Sequence, residues 1–390
     1  MKKRDTFLSY GQQTIDEADI QIVLDTLRSP YLTQGPKVVE FEHAVADYVG
    51  AKYAVAFSNG TAALHGACFA AGISEEDEVI TTPITFVATA NAVLYCGGRP
   101  VFADIDEQTY NIDPQDIKKK ITDKTKAIMP VDFTGQPADM DVILEIAKEH
   151  DLVVIEDGAH SLGAGYNGRK VGTQADMTMF SFHPVKPITT AEGGIIVTDS
   201  DYYYEKLKSF RSHGIIHDHL SKDEGPWYYE MVDLGFNYRM TDIQAALGVS
   251  QIHKLDTFIE RRREIAEQYS EAFSNWDGVI TPTQLSSTNS GWHLYMLQLN
   301  LNDLQKTRRQ IFEELRALNI GVHVHYIPVY LHPYYQQLGY ERGLCPKAEA
   351  WYEGALTLPI FPKMTDQDVK YVIEAVRECV GVGNSLLKGI

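Results

Sequence analysis

Paired cysteines are missing from this sequence of 390 residues. The four present, Cys68, Cys96, Cys345 and Cys379, have neither the paired spacing of a zinc site nor the density of a disulfide framework, so reduced thiols are expected. Positive charge is scarce too: 35 Lys and Arg stand against 53 Asp and Glu, a formal net charge of −18. That balance argues against a basic face for nucleic acid or anionic membrane, and an anionic substrate must be met by a local cluster of Arg and Lys. No run approaches the ~20 apolar residues needed to cross a bilayer. Met-Lys-Lys-Arg-Asp at the start lacks the apolar segment of a secretory leader, so a cytoplasmic location is expected. Neither an internal repeat nor a low-complexity tract is visible. There is no Walker A motif, and Gly381-Val382-Gly383 precedes no helix of a βαβ unit, so it reads as a tail.

What the chain does have is length and apolar content, 44% hydrophobic, enough for two domains with sizeable cores. Its organising stretch runs from Val153 to Asp199. Val153-Val154-Ile155 suits a strand buried on both faces. It ends at Glu156-Asp157, a carboxylate where parallel strands give out and ligands bind. Met177 to Phe182 predicts a second strand and Ile195 to Thr198 a third, with Ser181-Phe182-His183-Pro184-Val185-Lys186-Pro187 between them. Proline lacks the N–H and restricts its predecessor, so Lys186, held between Pro184 and Pro187, belongs to a stiff loop. An acid at a strand end followed by a loop lysine suits pyridoxal phosphate: the lysine bonds the cofactor and shuttles protons, and the acid keeps the pyridine nitrogen protonated. A hydroxyl such as that of Ser181 can hold the phosphate. Taken alone, a lysine is more often a solvated surface residue.

Elsewhere, short apolar runs alternate with helical patterns. Strands are predicted at 53–57, 78–81, 100–103 and 127–131, and helices at 141–148 and 202–210. Thr14-Ile15-Asp16-Glu17 reads as a capping box, and a helix opens at Pro36 and closes at Gly50. The alternation gives a mostly parallel sheet covered on both faces. A long helix from about Ile252 to Phe273 marks a boundary between a large α/β domain, residues 1–250, and a small α+β domain, residues 251–390. Its Arg261-Arg262-Arg263 run reads as a solvated face. His217 to Tyr229 reads as a loop, Ser290 to Leu297 as the start of a strand and Thr307 to Leu318 as a helix. Val322 to Tyr326 alternates like a strand, with His323 and His325 on one face. No third ligand is spaced to make them a metal site, so they are a substrate-contacting or a packed pair, and no metal is expected. The turn Ser58-Asn59-Gly60-Thr61-Ala62 feeds a helix and reads either as a cap or as an anion site.

These segments resemble one family. Ser-Phe-His-Pro-Val-Lys-Pro-Ile-Thr-Thr-Ala-Glu-Gly-Gly is similar to the lysine signature of the DegT/DnrJ/StrS sugar aminotransferases, and Asp157-Gly158-Ala159-His160-Ser161 to their cofactor-acid motif. The likeness runs from Tyr31 to Pro362, motif by motif in the family's order. It implies the pyridoxal-phosphate-dependent transferase fold of type I, like aspartate aminotransferase. It implies that Lys186 and Asp157 are catalytic, and that His183 assists proton transfer or positions the sugar. The Gly60-Thr61-Ala62 turn and Ser181 would take the cofactor phosphate, Phe86 would stack on the pyridine ring and His160 would pack near it. Asn237, in the Asn-Tyr-Arg motif with Arg239, would reach the cofactor of a neighbouring subunit, making a homodimer with shared active sites. Tyr31 and Thr33 lie in a loop that the resemblance places near the substrate, as it does Arg239, His183, His323 and His325.

The implied reaction moves an amino group from glutamate, leaving 2-oxoglutarate, through pyridoxamine phosphate to the C4 ketone of a UDP-linked sugar. Within the family, His-Pro-Val-Lys-Pro-Ile-Thr-Thr is most similar to the members of pseudaminic acid synthesis, which act on a 4-keto-2-acetamido-2,6-dideoxy-L-hexose. Ala191 departs from that subgroup's glycine, and Ala-Glu-Gly-Gly is similar to the members that make UDP-4-amino-4-deoxy-L-arabinose. A sugar dehydratase on this fold would carry His where Lys186 stands, and a non-catalytic regulator would lack Lys186 or Asp157.

Overall fold

The computed structural model describes residues 1–216 and 225–381; residues 217–224 of the predicted loop and the Val382-Gly383 part of the tail lie outside the described residues. Seven strands make the main sheet: β1 (Tyr53–Phe57), β2 (Glu78–Thr81), β3 (Arg99–Phe102), β4 (Thr125–Met129), β5 (Val153–Asp157), β6 (Met177–Ser181) and β7 (Gly194–Thr198). They are ordered β1-β7-β6-β5-β4-β2-β3. From β6 to β3 the neighbours are parallel, and β7 runs antiparallel to both β6 and β1.

Side chains alternate across the sheet, and the alternation builds two cores. Val55, Val79, Ala127, Ile155, Met177 and Ile196 face helices Gly60–Ala70 and Ala88–Tyr95. On the other side Ala56, Phe180 and Ile195 meet helices Pro36–Val49 and Asp242–Ile252, while Ile80, Ile128 and Val154 meet helix Met140–Glu149. Burial on both faces is why these strands read as continuous apolar runs.

A smaller antiparallel sheet of Val279–Ile280, Tyr295–Leu299 and Ala355–Leu358 packs with helices Arg308–Ala317 and Asp366–Val380. Leu8 joins this core, bridging to Ile320. Helix Leu255–Phe273 serves both regions: Leu255, Phe258 and Ile259 lie in the large core, and Ile265, Tyr269 and Phe273 in the small one.

Four local expectations are corrected. The first helix, Glu17–Arg28, is capped by Asp16 and not by Thr14: Asp16 and Asp19 exchange side-chain to backbone bonds at 3.1 and 3.0 Å. Thr14 presents its carbonyl to Gln251 at 2.9 Å, and its buried hydroxyl has no hydrogen-bond partner among the described residues. The long helix starts at Leu255, separated from Asp242–Ile252 by a break at His253 and Lys254.

The arginine run is not a uniformly solvated face. Arg261 pairs with Asp366 and Glu264, but Arg262 is fully buried, its Nη1 donating to the carbonyls of Trp292, His293 and Ile360 at 3.2, 3.3 and 2.9 Å. Helical phase places it there, on the face of Phe258, Ile259, Ile265 and Ala266. Lastly, Val322 to Tyr326 is no strand. His323 exchanges backbone hydrogen bonds with Thr357 as an isolated bridge, and its own ring Nδ1 takes the Val324 N–H at 2.9 Å.

Candidate active site

β1, β2, β5 and β6 all deliver their carboxyl ends to one cavity of about 840 Å3, where open α/β sheets bind ligands. Asp157 closes β5 and is buried. The Thr89 hydroxyl donates to its Oδ2 at 2.7 Å and the Ala159 N–H to its Oδ1 at 3.1 Å. Burial raises the carboxyl pKa; the Thr89 and Ala159 donors, and the charge of Lys186, oppose that rise.

Lys186 lies on the loop between β6 and β7, as its prolines require. The loop is tied back on β6, since Thr190 N–H and the Thr189 hydroxyl both donate to the Phe182 carbonyl at 3.0 Å. The Lys186 Nζ lies 3.4 Å from His293 Nε2. Burial of the amine pulls its pKa down to about 8, against the attraction of Asp157 and with the help of Arg262. A sizeable fraction is therefore free base at mildly alkaline pH.

Asn59 caps helix Gly60–Ala70, its Oδ1 accepting from the Ala62 N–H at 2.9 Å. The Gly60 and Thr61 N–H groups stand ahead of the helix's own ladder. Cap and opening toward the cavity thus coexist in one turn. Glycine is needed where that turn meets the sheet: a Cβ on Gly194 would fall 2.6 Å from the Asn59 carbonyl carbon.

Gly60, Thr61, Ala62, Phe86, Asp157, His160, Ser181, His183, Lys186, His323 and His325 all line the cavity. The His323 and His325 rings stack, with centroids 4.4 Å apart, although no strand aligns them. Tyr31, Thr33, Asn237 and Arg239 do not line it; Tyr238, between the last two, does. The 31–35 turn is held at the start of helix Asp242–Ile252, where Asp242 accepts from the Gly35 and Lys37 N–H groups at 2.8 and 2.9 Å. Lining side chains that the sequence reading left out include Tyr10, Thr89, Glu192, His293 and Tyr326. Tyr326 Oη lies 3.3 Å from His160 Nε2. Among the described residues that line the cavity, Lys186 is the only one with an amine or guanidinium.

Ala191, the departure noted in the glycine-rich segment, sits at φ 65°, the left-handed region that costs an L-residue about 1 kcal/mol. Ala191→Gly is expected to raise the melting temperature slightly, by about 1 °C, because the relieved strain is partly offset by a more flexible unfolded chain. A lower melting temperature in a thermal scan would refute the strain.

Solved structures share this architecture over nearly the whole chain. Helicobacter pylori PseC, an aminotransferase involved in the biosynthesis of pseudoaminic acid, matches with a TM-score of 0.90 at 34% identity, covering 96% of this chain and 100% of the other. Spr1654 from Streptococcus pneumoniae matches with TM-scores of 0.90 in its pyridoxamine-phosphate form and 0.89 in its pyridoxal-phosphate form, at 31% and 30% identity. These two forms cover 97% and 96% of this chain and 99% of theirs. In sequence, the chain is 44% identical over 384 residues to the spore coat polysaccharide biosynthesis protein SpsC of Bacillus subtilis, covering 97% of this chain and 99% of that one. It is 40% identical over 368 residues to the UDP-4-amino-4,6-dideoxy-N-acetyl-beta-L-altrosamine transaminase of Campylobacter jejuni, covering 94% and 95%.

The fold is thus that of type I pyridoxal-phosphate enzymes, and the protein is a pyridoxal-phosphate-dependent sugar aminotransferase. It belongs to the DegT/DnrJ/EryC1/StrS aminotransferase family, whose model matches residues 13–377.

Proposed function

We propose that the protein transfers an amino group from glutamate to the C4 ketone of a UDP-linked 4-keto-2-acetamido-2,6-dideoxy-L-hexose, a step of pseudaminic acid synthesis. The observation that carries the reading is the full-length likeness to the Campylobacter jejuni transaminase, joined to a cavity whose side chains suit the cofactor. In this reading Lys186 is the cofactor lysine and Asp157 the partner of the ring nitrogen. The Gly60-Thr61-Ala62 turn and Ser181 hold the phosphate, and Phe86 and His160 flank the ring. The bound cofactor supplies a carbonyl carbon for amino exchange and a cationic ring that draws electrons from the substrate carbon.

The chain's own groups do the rest. The Lys186 amine, with its pKa near 8, takes the proton from the donor's Cα and later returns one at the sugar carbon. His183, exposed at the cavity edge, positions the sugar, with His323 and His325 beside it.

Two features support a homodimer with shared active sites. Among the described residues the cavity has a single lysine or arginine for substrates rich in negative charge, while Asn237 and Arg239 stand outside it. Met231 and Leu234 are exposed near these residues in sequence, Tyr31 and Leu32 are exposed on the turn that bridges to Thr241, and apolar exposure of this kind marks an interface. Within each subunit, residues 1–250 would hold the cofactor and residues 251–390 would close over the substrate. The net charge of −18 suits a cytoplasmic enzyme that binds neither nucleic acid nor membrane.

Half-reactions test the substrate. Glutamate is expected to convert the absorbance of the lysine-bound cofactor to that of pyridoxamine phosphate, and the UDP-linked acetamido-hexose to restore it. The Ala191-Glu192-Gly193-Gly194 segment favours a second reading, a UDP-4-keto-pentose acceptor as in UDP-4-amino-4-deoxy-L-arabinose synthesis. Restoration by the pentose alone would transfer the function to that reading.

A further inference from the structure

One buried imidazole in the cavity has no part in the chemistry above. His293 stands just ahead of strand Tyr295–Leu299, 3% exposed, with Nε2 3.4 Å from Lys186 Nζ. Its Nδ1 is buried without a hydrogen-bond partner among the described residues. The backbone that carries it is clamped on two sides. Arg262 holds the Trp292 and His293 carbonyls from the long helix, and the Gly291 and Leu294 N–H groups donate to Gly135 and Thr134 at 2.9 and 3.1 Å. The ring therefore has little freedom to leave the lysine.

A lysine ammonium has three donors and no acceptor, so the imidazole nitrogen facing it must accept, and the ring proton belongs on Nδ1. We propose that His293 is a positioning residue for Lys186, its Nε2 accepting from the amine whenever the lysine is not bonded to the cofactor. It parks the side chain for proton transfer and stabilises the protonated amine. The inference rests on the reading of Lys186 as the cofactor lysine.

Other charged groups face the pair. Asp157 on β5 favours the ammonium, and Arg262 disfavours it. His160, His183 and His325 also lie within electrostatic reach of Lys186, and all three have lowered pKa values, burial being the largest cause. His293 is itself held well below its ordinary pKa, by burial first and then by Lys186 and its neighbours. It thus stays neutral and acts on the lysine as an acceptor rather than as a charge.

The test is the pH dependence of Lys186 acetylation in the full-length protein stripped of cofactor, read on the Lys186 peptide by mass spectrometry. His293→Phe removes the acceptor, so the midpoint should fall by about one pH unit. His293→Gln keeps an acceptor of similar reach and should stay within a few tenths of wild type. In the loaded enzyme, single turnover with glutamate should slow about tenfold in the Phe variant with donor affinity unchanged, and recover in the Gln variant. If the Phe variant fails to fold, His293→Asn, too short to reach Nζ, takes its place. An unmoved midpoint in a folded variant lacking the acceptor would overturn the proposal, as would a Gln variant shifted as far as Phe. Failure of wild type to react with glutamate would instead count against the donor, leaving the midpoints to judge His293 separately.

Discussion

Lys186→Ala is expected to lower turnover by at least about 10⁴-fold while leaving a folded protein that still binds pyridoxal phosphate. The amine is proposed both to bond the cofactor and to carry the proton, and among the described residues no other lysine lines the cavity. Burial lowers the pKa of His160, His183, His293 and His325, so each is a weaker base than the amine it would replace. Folding should survive because Lys186 forms no ion pair within 4 Å among the described residues, and a buried amine is costly to desolvate. Lys186→Arg should be no better, since a guanidinium does not give up its proton near neutral pH. Small primary amines added to the Ala variant should restore part of the rate, with efficiency following their basicity. Residual activity above about a hundredth of wild type, without added amine, would remove Lys186 from its proposed role.

The acid and the lysine were legible because strand punctuation surrounds them in one contiguous stretch. β5 runs until Asp157, and Pro184 and Pro187 force the lysine into a loop. Thr89, His293 and Tyr326 were not, because tertiary packing alone brings them to Asp157, Lys186 and His160. Arg262 shows a signal present but unread: three arginines in a row suggest solvent, whereas their helical phase singles out the middle one for the core. The 322–326 segment shows a signal present but insufficient. Alternation permits a strand, but a strand needs successive pairs with a neighbour, and among the described residues of this segment His323 alone is paired, with Thr357. The sheet itself read cleanly because the middles of β4, β5 and β7, at Ala127 to Met129, Val154-Ile155 and Ile195 to Val197, are buried on both faces and filled by apolar, largely β-branched residues.

Asp157→Asn separates function from stability in opposite directions. Activity should fall by about 10²–10³-fold or more, since a neutral amide cannot hold the ring nitrogen protonated. The cofactor-free variant should nevertheless be the more stable protein at neutral pH. Burial raises the pKa of Asp157 in the folded state above its unfolded value. Any stability this carboxyl provides is therefore complete below the ordinary carboxylate pKa, and declines as pH rises through the raised folded value. Asparagine carries no such penalty and keeps the contacts, its Oδ1 accepting from Ala159 and its amide donating to the Thr89 hydroxyl. Melting temperatures of the stripped proteins should converge at acid pH and separate as pH rises, with the variant higher. Asp132 and Glu156 are buried nearby with pKa values raised by burial first and in part by the charge of Asp157, so the difference between the two proteins reports Asp157 together with its repulsion of these two acids. Adding pyridoxal phosphate should reverse the order, because only the wild-type carboxylate gains a cationic partner. A wild-type protein that melts higher at every pH, with and without cofactor, would mean that Asp157 is a structural acid and not the partner of the ring.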